Sequence, residues 1–211
     1  MPDISLILLI FSMVVALAGI IFWVVQLLSR LNVPDPSLST KSKLLGITYA
    51  FTISMLPWKK ESAKLHWVVY LRGILFHLGI FAGIILIFIS IFTELTAPAY
   101  KLVFGIFLVA GALSGTGAII WRLYDSKLRT LSKLDDYISP VLITIFLGIA
   151  TFFVAGVLDR MWFYVVTSVV CLYLPWSKLR HCIYFFFSRV ILGMLFSRRG
   201  FLTKSKQMQQ I

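Results

Sequence analysis

Apolar residues gather in long blocks along this chain, and polar residues are confined to short stretches between them. Blocks 4–28, 67–92, 102–123, 137–158 and 162–187 are each almost free of charge. A helix rises about 1.5 Å per residue, so roughly 20 apolar residues cross a hydrocarbon core about 30 Å thick. Each block meets that length. The pattern therefore predicts an all-α integral membrane protein: a five-transmembrane-helix bundle forming one membrane domain over 1–211. A shorter apolar run, 44–56, ends at Pro57 and Trp58 and is too short to span. It reads as an interfacial or re-entrant segment between helices 1 and 2. From 188 onward basic and apolar residues alternate, which predicts a tail at the membrane surface. The N-terminus has no positive leader or small-residue cleavage site, so the first block is expected to persist as a helix.

Composition narrows the choice. Of 211 residues, 60% are hydrophobic and 13% charged. Too little polar surface is available to cover a soluble body of that size, and no soluble catalytic domain fits beside five spans. The net charge of +12 would suggest nucleic acid in a soluble protein. Here an anionic cytoplasmic leaflet accounts for it, and no nucleic-acid partner is expected. The basic residues are strongly sided. Arg30, Lys41, Lys43, Lys59, Lys60 and Lys64 follow the first block; Arg122, Lys127, Arg129 and Lys133 follow the third. Lys178, Arg180, Arg189, Arg198, Arg199, Lys204 and Lys206 follow the fifth or lie at its end. The opposite side has only Lys101 and Arg160. The positive-inside rule then predicts the N-terminus outside and the C-terminus in the cytoplasm of a multi-pass protein of the cytoplasmic (inner) membrane.

Candidate chemistry rests on three histidines. His66 stands beside Trp67 at the mouth of a span, where an interfacial residue needs no special role. His77 lies well inside an apolar block, five residues beyond Arg72, and His181 lies in the last block. An ionisable residue within the bilayer is costly and commonly functional. Two neutral imidazoles from separate helices can ligate haem iron axially, and helical bundles are where such sites are built. Arg72, Lys178 and Arg180 would be placed to pair with haem propionates. Gly73, one turn from His77, leaves room for a flat macrocycle. The plainer alternative is a histidine that hydrogen-bonds across helices, with glycines that permit close packing. The run Gly111-Ala112-Leu113-Ser114-Gly115 reads as packing of that kind. Cys171 and Cys182 match no metal-ligand spacing and read as small apolar side chains. Asp135 and Asp136, at the end of a basic loop, read as solvated or helix-capping.

The histidine neighbourhoods carry a resemblance. Leu75-Phe76-His77-Leu78-Gly79-Ile80 resembles the haem-ligand helix of the respiratory nitrate reductase gamma subunit family. Pro175-Trp176-Ser177-Lys178-Leu179-Arg180-His181 is similar to the last helix of that family, where an apolar-Pro-aromatic-Ser-basic-Leu run ends on histidine. The stretch from Leu128 to Tyr137 is similar to one in the branch serving sulfur-metabolism and heterodisulfide-reductase-like complexes. The resemblance implies a di-haem cytochrome b of a respiratory chain that exchanges electrons between quinone and a cytoplasmic iron–sulfur subunit. The second haem of the family uses a histidine about ten residues after the first and another about eighteen before the last. Ile87 and Phe163 occupy those positions, and neither can ligate iron. One b-type, bis-histidine haem is therefore expected, on His77 and His181.

The sequence thus reads as an electron-transfer subunit of a quinone-linked oxidoreductase complex rather than as a complete enzyme. It is expected to work with an iron–sulfur partner, heterodisulfide-reductase-like by the resemblance, and with further membrane or extracytoplasmic redox subunits completing the path. Two rivals stand beside it: a haem-free membrane anchor that docks a peripheral redox partner, and a small transporter. A transporter would show an inverted repeat and polar residues at mid-membrane, which the sequence does not offer.

Overall fold

The computed structural model describes residues 3–30, 42–56, 65–93 and 98–198. Among them the regular structure is helical: α1 (Ile4–Arg30), α2 (Lys43–Phe51), α3 (Trp67–Phe92), α4 (Pro98–Tyr124), α5 (Ser126–Leu131), α6 (Asp135–Val154), α7 (Arg160–Tyr173) and α8 (His181–Arg198). Five helical stretches are long and apolar enough to cross a membrane: Ile4–Ser29, Trp67–Phe92, Pro98–Tyr124, Asp135–Val154 and Lys178–Ser197. The chain is a multi-pass membrane protein. The basic loop residues Lys41, Lys59, Lys60 and Lys64, and the tail beyond Arg198, lie outside the described residues.

The first four spans match the apolar blocks to within a few residues. The fifth does not. The block 162–187 divides into α7, two short 3-10 turns over Leu174–Trp176 and Lys178–Arg180, and then α8. Pro175 is the cause, because it has no amide hydrogen and its ring collides with the carbonyl one turn back. Ser177 then adopts an extended backbone, φ −107° and ψ 178°. The tail expected at the membrane surface from 188 is helical as far as Arg198. Residues 188–198 belong to an unbroken helix that begins at His181.

The chain packs as two compact units. The first comprises Met1–Ile21 and Val68–Leu179. Its core joins Leu9 of α1, Ala82, Leu86 and Ile87 of α3, Leu108 of α4, five apolar residues of α6, and Phe163 and Tyr164 of α7. Between lipid-solvated helices there is little hydrophobic driving force, so close van der Waals packing and buried hydrogen bonds hold them together. Both are visible. A Cβ placed on Gly79 would lie 2.8 Å from Cα of Gly111, so α3 and α4 touch backbone to backbone. One turn on, Gly115 makes room for the Phe76 ring. The packing role read for the Gly111 to Gly115 run is what the structure displays. Phe163 stacks against Phe153 at 4.9 Å with the rings 7° from parallel, and against Phe146 at 5.9 Å. The buried Tyr164 hydroxyl donates to the Ser90 carbonyl at 2.8 Å, tying α7 to α3.

Local signals fix the ends of these helices. Asp3 caps α1, accepting from the Ser5 amide at 3.0 Å and the Ser5 hydroxyl at 2.7 Å. Those bonds hold its carboxyl below the ordinary carboxylate value. The α6–α7 turn closes on Gly156 at φ 76°, with the Val157 amide donating to the Phe152 carbonyl and the Gly156 amide to that of Phe153. This is a Schellman cap, whose left-handed residue favours glycine.

The second unit comprises Phe22–Trp67 and Arg180–Ile211. Its centre is the contact of α2 with α8. Gly46 and Gly193 meet backbone to backbone, and a Cβ on Gly193 would lie 2.5 Å from Cα of Ile47. Phe51 stacks on Phe186 and meets Phe185 edge-on. The segment 44–56, read from sequence only as interfacial or re-entrant, thus has a defined helical partner.

Candidate functional site

His77 lies in the middle of α3, its side chain exposed on a surface that also presents Ile74, Leu78 and Phe81. Its ring is fixed by one hydrogen bond: Nδ1 is 2.7 Å from the Gly73 carbonyl oxygen, one turn back. A carbonyl can only accept, so Nδ1 donates in this bond, and in the neutral ring that leaves the lone pair on Nε2. That tautomer suits axial metal ligation through Nε2, oriented by a hydrogen bond from the other ring nitrogen. Gly73 has a second role in the same place. A Cβ there would meet nothing within 4 Å, so the space beside the imidazole is open. The Phe76 ring stands edge-on to the imidazole at 6.1 Å.

Arg72, next to Gly73, directs Nη1 toward the Gly117 carbonyl of α4 at 3.4 Å. The arginine stem runs beside Gly117, with Cδ 3.9 Å from where a Cβ would stand, an ordinary packing distance. One contact of this length leaves most of the five guanidinium donors of Arg72 for an anionic group.

Lys178 has a different setting from the one expected for a propionate partner. Its Nζ is bound to the Asp136 carboxylate, and its backbone amide donates to Oδ2 of Asp135 at 2.8 Å. The Tyr173 hydroxyl also donates to Asp135, as does Ser139 at 2.9 Å. Arg122 approaches Asp136 at 3.8 Å and donates to Ser132 at 2.9 Å. Five elements of sequence, from Arg122 to Lys178, thus converge at the N-terminus of α6, where carboxylates are also favoured by the helix dipole. Sequence reasoning treated Asp135 and Asp136 as solvated or capping groups and missed this network. The available signal was an acidic pair opening a span on the basic side, with a lysine just beyond a proline break.

Arg180 and His181 belong to the second unit. The Arg180 guanidinium lies 4.4 Å over the ring of Trp23. His181 is the first residue of α8, and its side chain is exposed. The five expected site residues therefore divide: Arg72, His77 and Lys178 in the first unit, Arg180 and His181 in the second. Among the described residues no three of His, Cys, Asp and Glu group as a metal site. A bis-histidine haem, with two protein ligands, is not a site of that kind.

Ile87 and Phe163, at the positions of the second haem ligands in the resembling family, are 8% and 0% exposed and belong to one apolar cluster. The chain matches no family model, no curated protein and no solved structure.

Proposed function

We propose that this chain is a haem b-containing membrane subunit of a multi-subunit respiratory redox complex. It passes electrons between the quinone pool and a cytoplasmic iron–sulfur partner. The observation that carries the reading is His77: an imidazole on an apolar, membrane-length helix, held in the Nε2-ligating tautomer beside an open glycine. His77 and His181 would hold the haem iron, as the resemblance implies, and Arg72 and Arg180, the cations nearest to them in sequence, would face the propionates. Lys178, the third cation expected for them, also pairs with Asp136 and so ties the site to the start of α6. Haem, when bound, supplies one-electron redox chemistry; the chain supplies ligation, orientation and electrostatics.

A single haem per chain is part of the proposal. It is supported by Ile87 and Phe163, which stand in the places of the second ligand pair and are buried in one apolar cluster. By the positive-inside rule the N-terminus is outside and the basic loops face the cytoplasm, where they would dock an acidic face of the iron–sulfur partner.

The second reading is a haem-free anchor, favoured by the Asp135–Asp136–Tyr173–Lys178 network, which organises the basic side with no cofactor. A reduced-minus-oxidised visible spectrum separates the two. The haem reading expects a b-type band in the assembled complex that His77→Ala and His181→Ala each abolish and His66→Ala retains. A band that survives both ligand substitutions overturns the assignment.

A further inference from the structure

Apolarity alone puts the last crossing on Lys178–Ser197 and passes over α7, which has only 14 residues. The first unit has a different geometry. Helix α6 has 20 residues, a length of about 30 Å, which is the thickness of the hydrocarbon core. The Schellman turn at Gly156 reverses the chain, and α7 returns from Arg160. By Tyr173 and Lys178 the chain is again at the start of α6, bonded to Asp135 and Asp136. The distances agree: α7 plus a 3-10 stretch at about 2 Å per residue reaches close to 30 Å. At Lys178 the chain has already retraversed α6.

We infer that the fifth crossing is the stretch 160–178 and that α8 does not cross. Helix α8, paired with α2, would stay on the headgroup–acyl boundary of the leaflet that its basic flanks select. Charge supports this placement. Lys178 and Arg180 precede α8, while Arg198, Arg199, Lys204 and Lys206 end or follow it. A crossing would carry one of these clusters to the side that is otherwise nearly free of Lys and Arg, against the positive-inside bias. It would also bring Arg189 toward the bilayer centre, where a guanidinium is costly. Arg189 instead lies 5.4 Å over the Phe185 ring and 3.4 Å from the Ser54 hydroxyl, contacts that suit an interfacial arginine. Helix α2 has nine residues and cannot span, and its backbone contact at Gly46–Gly193 holds it along α8. Leu44, Leu45 and Phe186 are exposed on the pair for apolar insertion. The basic flanks select the partner, a leaflet rich in anionic headgroups. This placement holds with or without haem.

The test is site-directed labelling of the full chain in sealed vesicles containing anionic phosphatidylglycerol, with Cys171 and Cys182 replaced by alanine. Lys133→Cys and Lys204→Cys should react with a membrane-impermeant maleimide from the same side; reaction from opposite sides overturns the proposal. Nitroxide labels at Tyr184→Cys and Leu195→Cys should report equal depths. Depths differing by about 16 Å, the rise over eleven helical residues, would show a crossing or a re-entrant helix and overturn it too. An epitope added after Ile211 of the native chain repeats the sidedness reading if the cysteine replacements impair folding.

Discussion

At the scale of single residues the two histidines differ in how far their surroundings define them. His77 has a fixed tautomer because Gly73 offers its carbonyl oxygen at 2.7 Å, and the same glycine leaves the adjoining space empty. Filling that space tests the pairing of roles: Gly73→Val should keep the fold, since a Cβ meets nothing there, yet lower haem content in the purified complex. His77 was legible in the sequence because an ionisable residue inside an apolar block stands out. The acidic pair was not. Asp135 and Asp136 gain meaning only when a backbone amide and a lysine some forty positions later reach them, which no local pattern announces. Asp135→Ala leaves the Lys178 amide and the Tyr173 hydroxyl without their acceptor. It should destabilise the protein by about 1–3 kcal/mol, read as a lowered denaturation midpoint in detergent.

At the scale of elements, four spans follow from apolar block length, because a bilayer imposes that length on any crossing helix. The fifth block misled for a physical reason. Proline is tolerated inside membrane helices, so Pro175 alone does not say whether the helix bends or ends. The extended Ser177 and the bonds from Lys178 to the start of α6 decide that it ends. Helix contact was partly readable, since small residues at one face predict close approach, but the partner of each glycine was not. Gly111→Val should force α3 from α4 at the Gly79 contact and cost about 1–3 kcal/mol. Gly148→Ala, where a Cβ meets nothing within 4 Å, is the matched control and should be neutral or slightly stabilising in the same unfolding measurement.

At the scale of the whole molecule, charge and apolarity give complementary information. Apolar blocks count the crossings, whereas the placement of Lys and Arg orients them. The proposed orientation requires an Asp3→Cys variant, at the capped start of α1, to react with an impermeant thiol reagent only from the outer face. Reaction only from the cytoplasmic face would reverse the topology and place the partner on the other side. The haem count belongs to this scale too. Ile87 and Phe163 stand where the resemblance would put a second pair of ligands, and both lie in an apolar cluster in which Phe146, Phe153 and Phe163 stack. With the one haem proposed, an electron path across the whole membrane would need either quinone close to that haem or another subunit.

The proposal of one b-type haem on this chain is tested by a dithionite-reduced minus oxidised visible spectrum of the purified complex, with haem quantified against protein. The expected result is a b-type band at one haem per copy of this chain, lost in His77→Ala and in His181→Ala. Two haems per copy would contradict the single-site assignment, and a properly assembled complex with none would leave the haem-free anchor in its place.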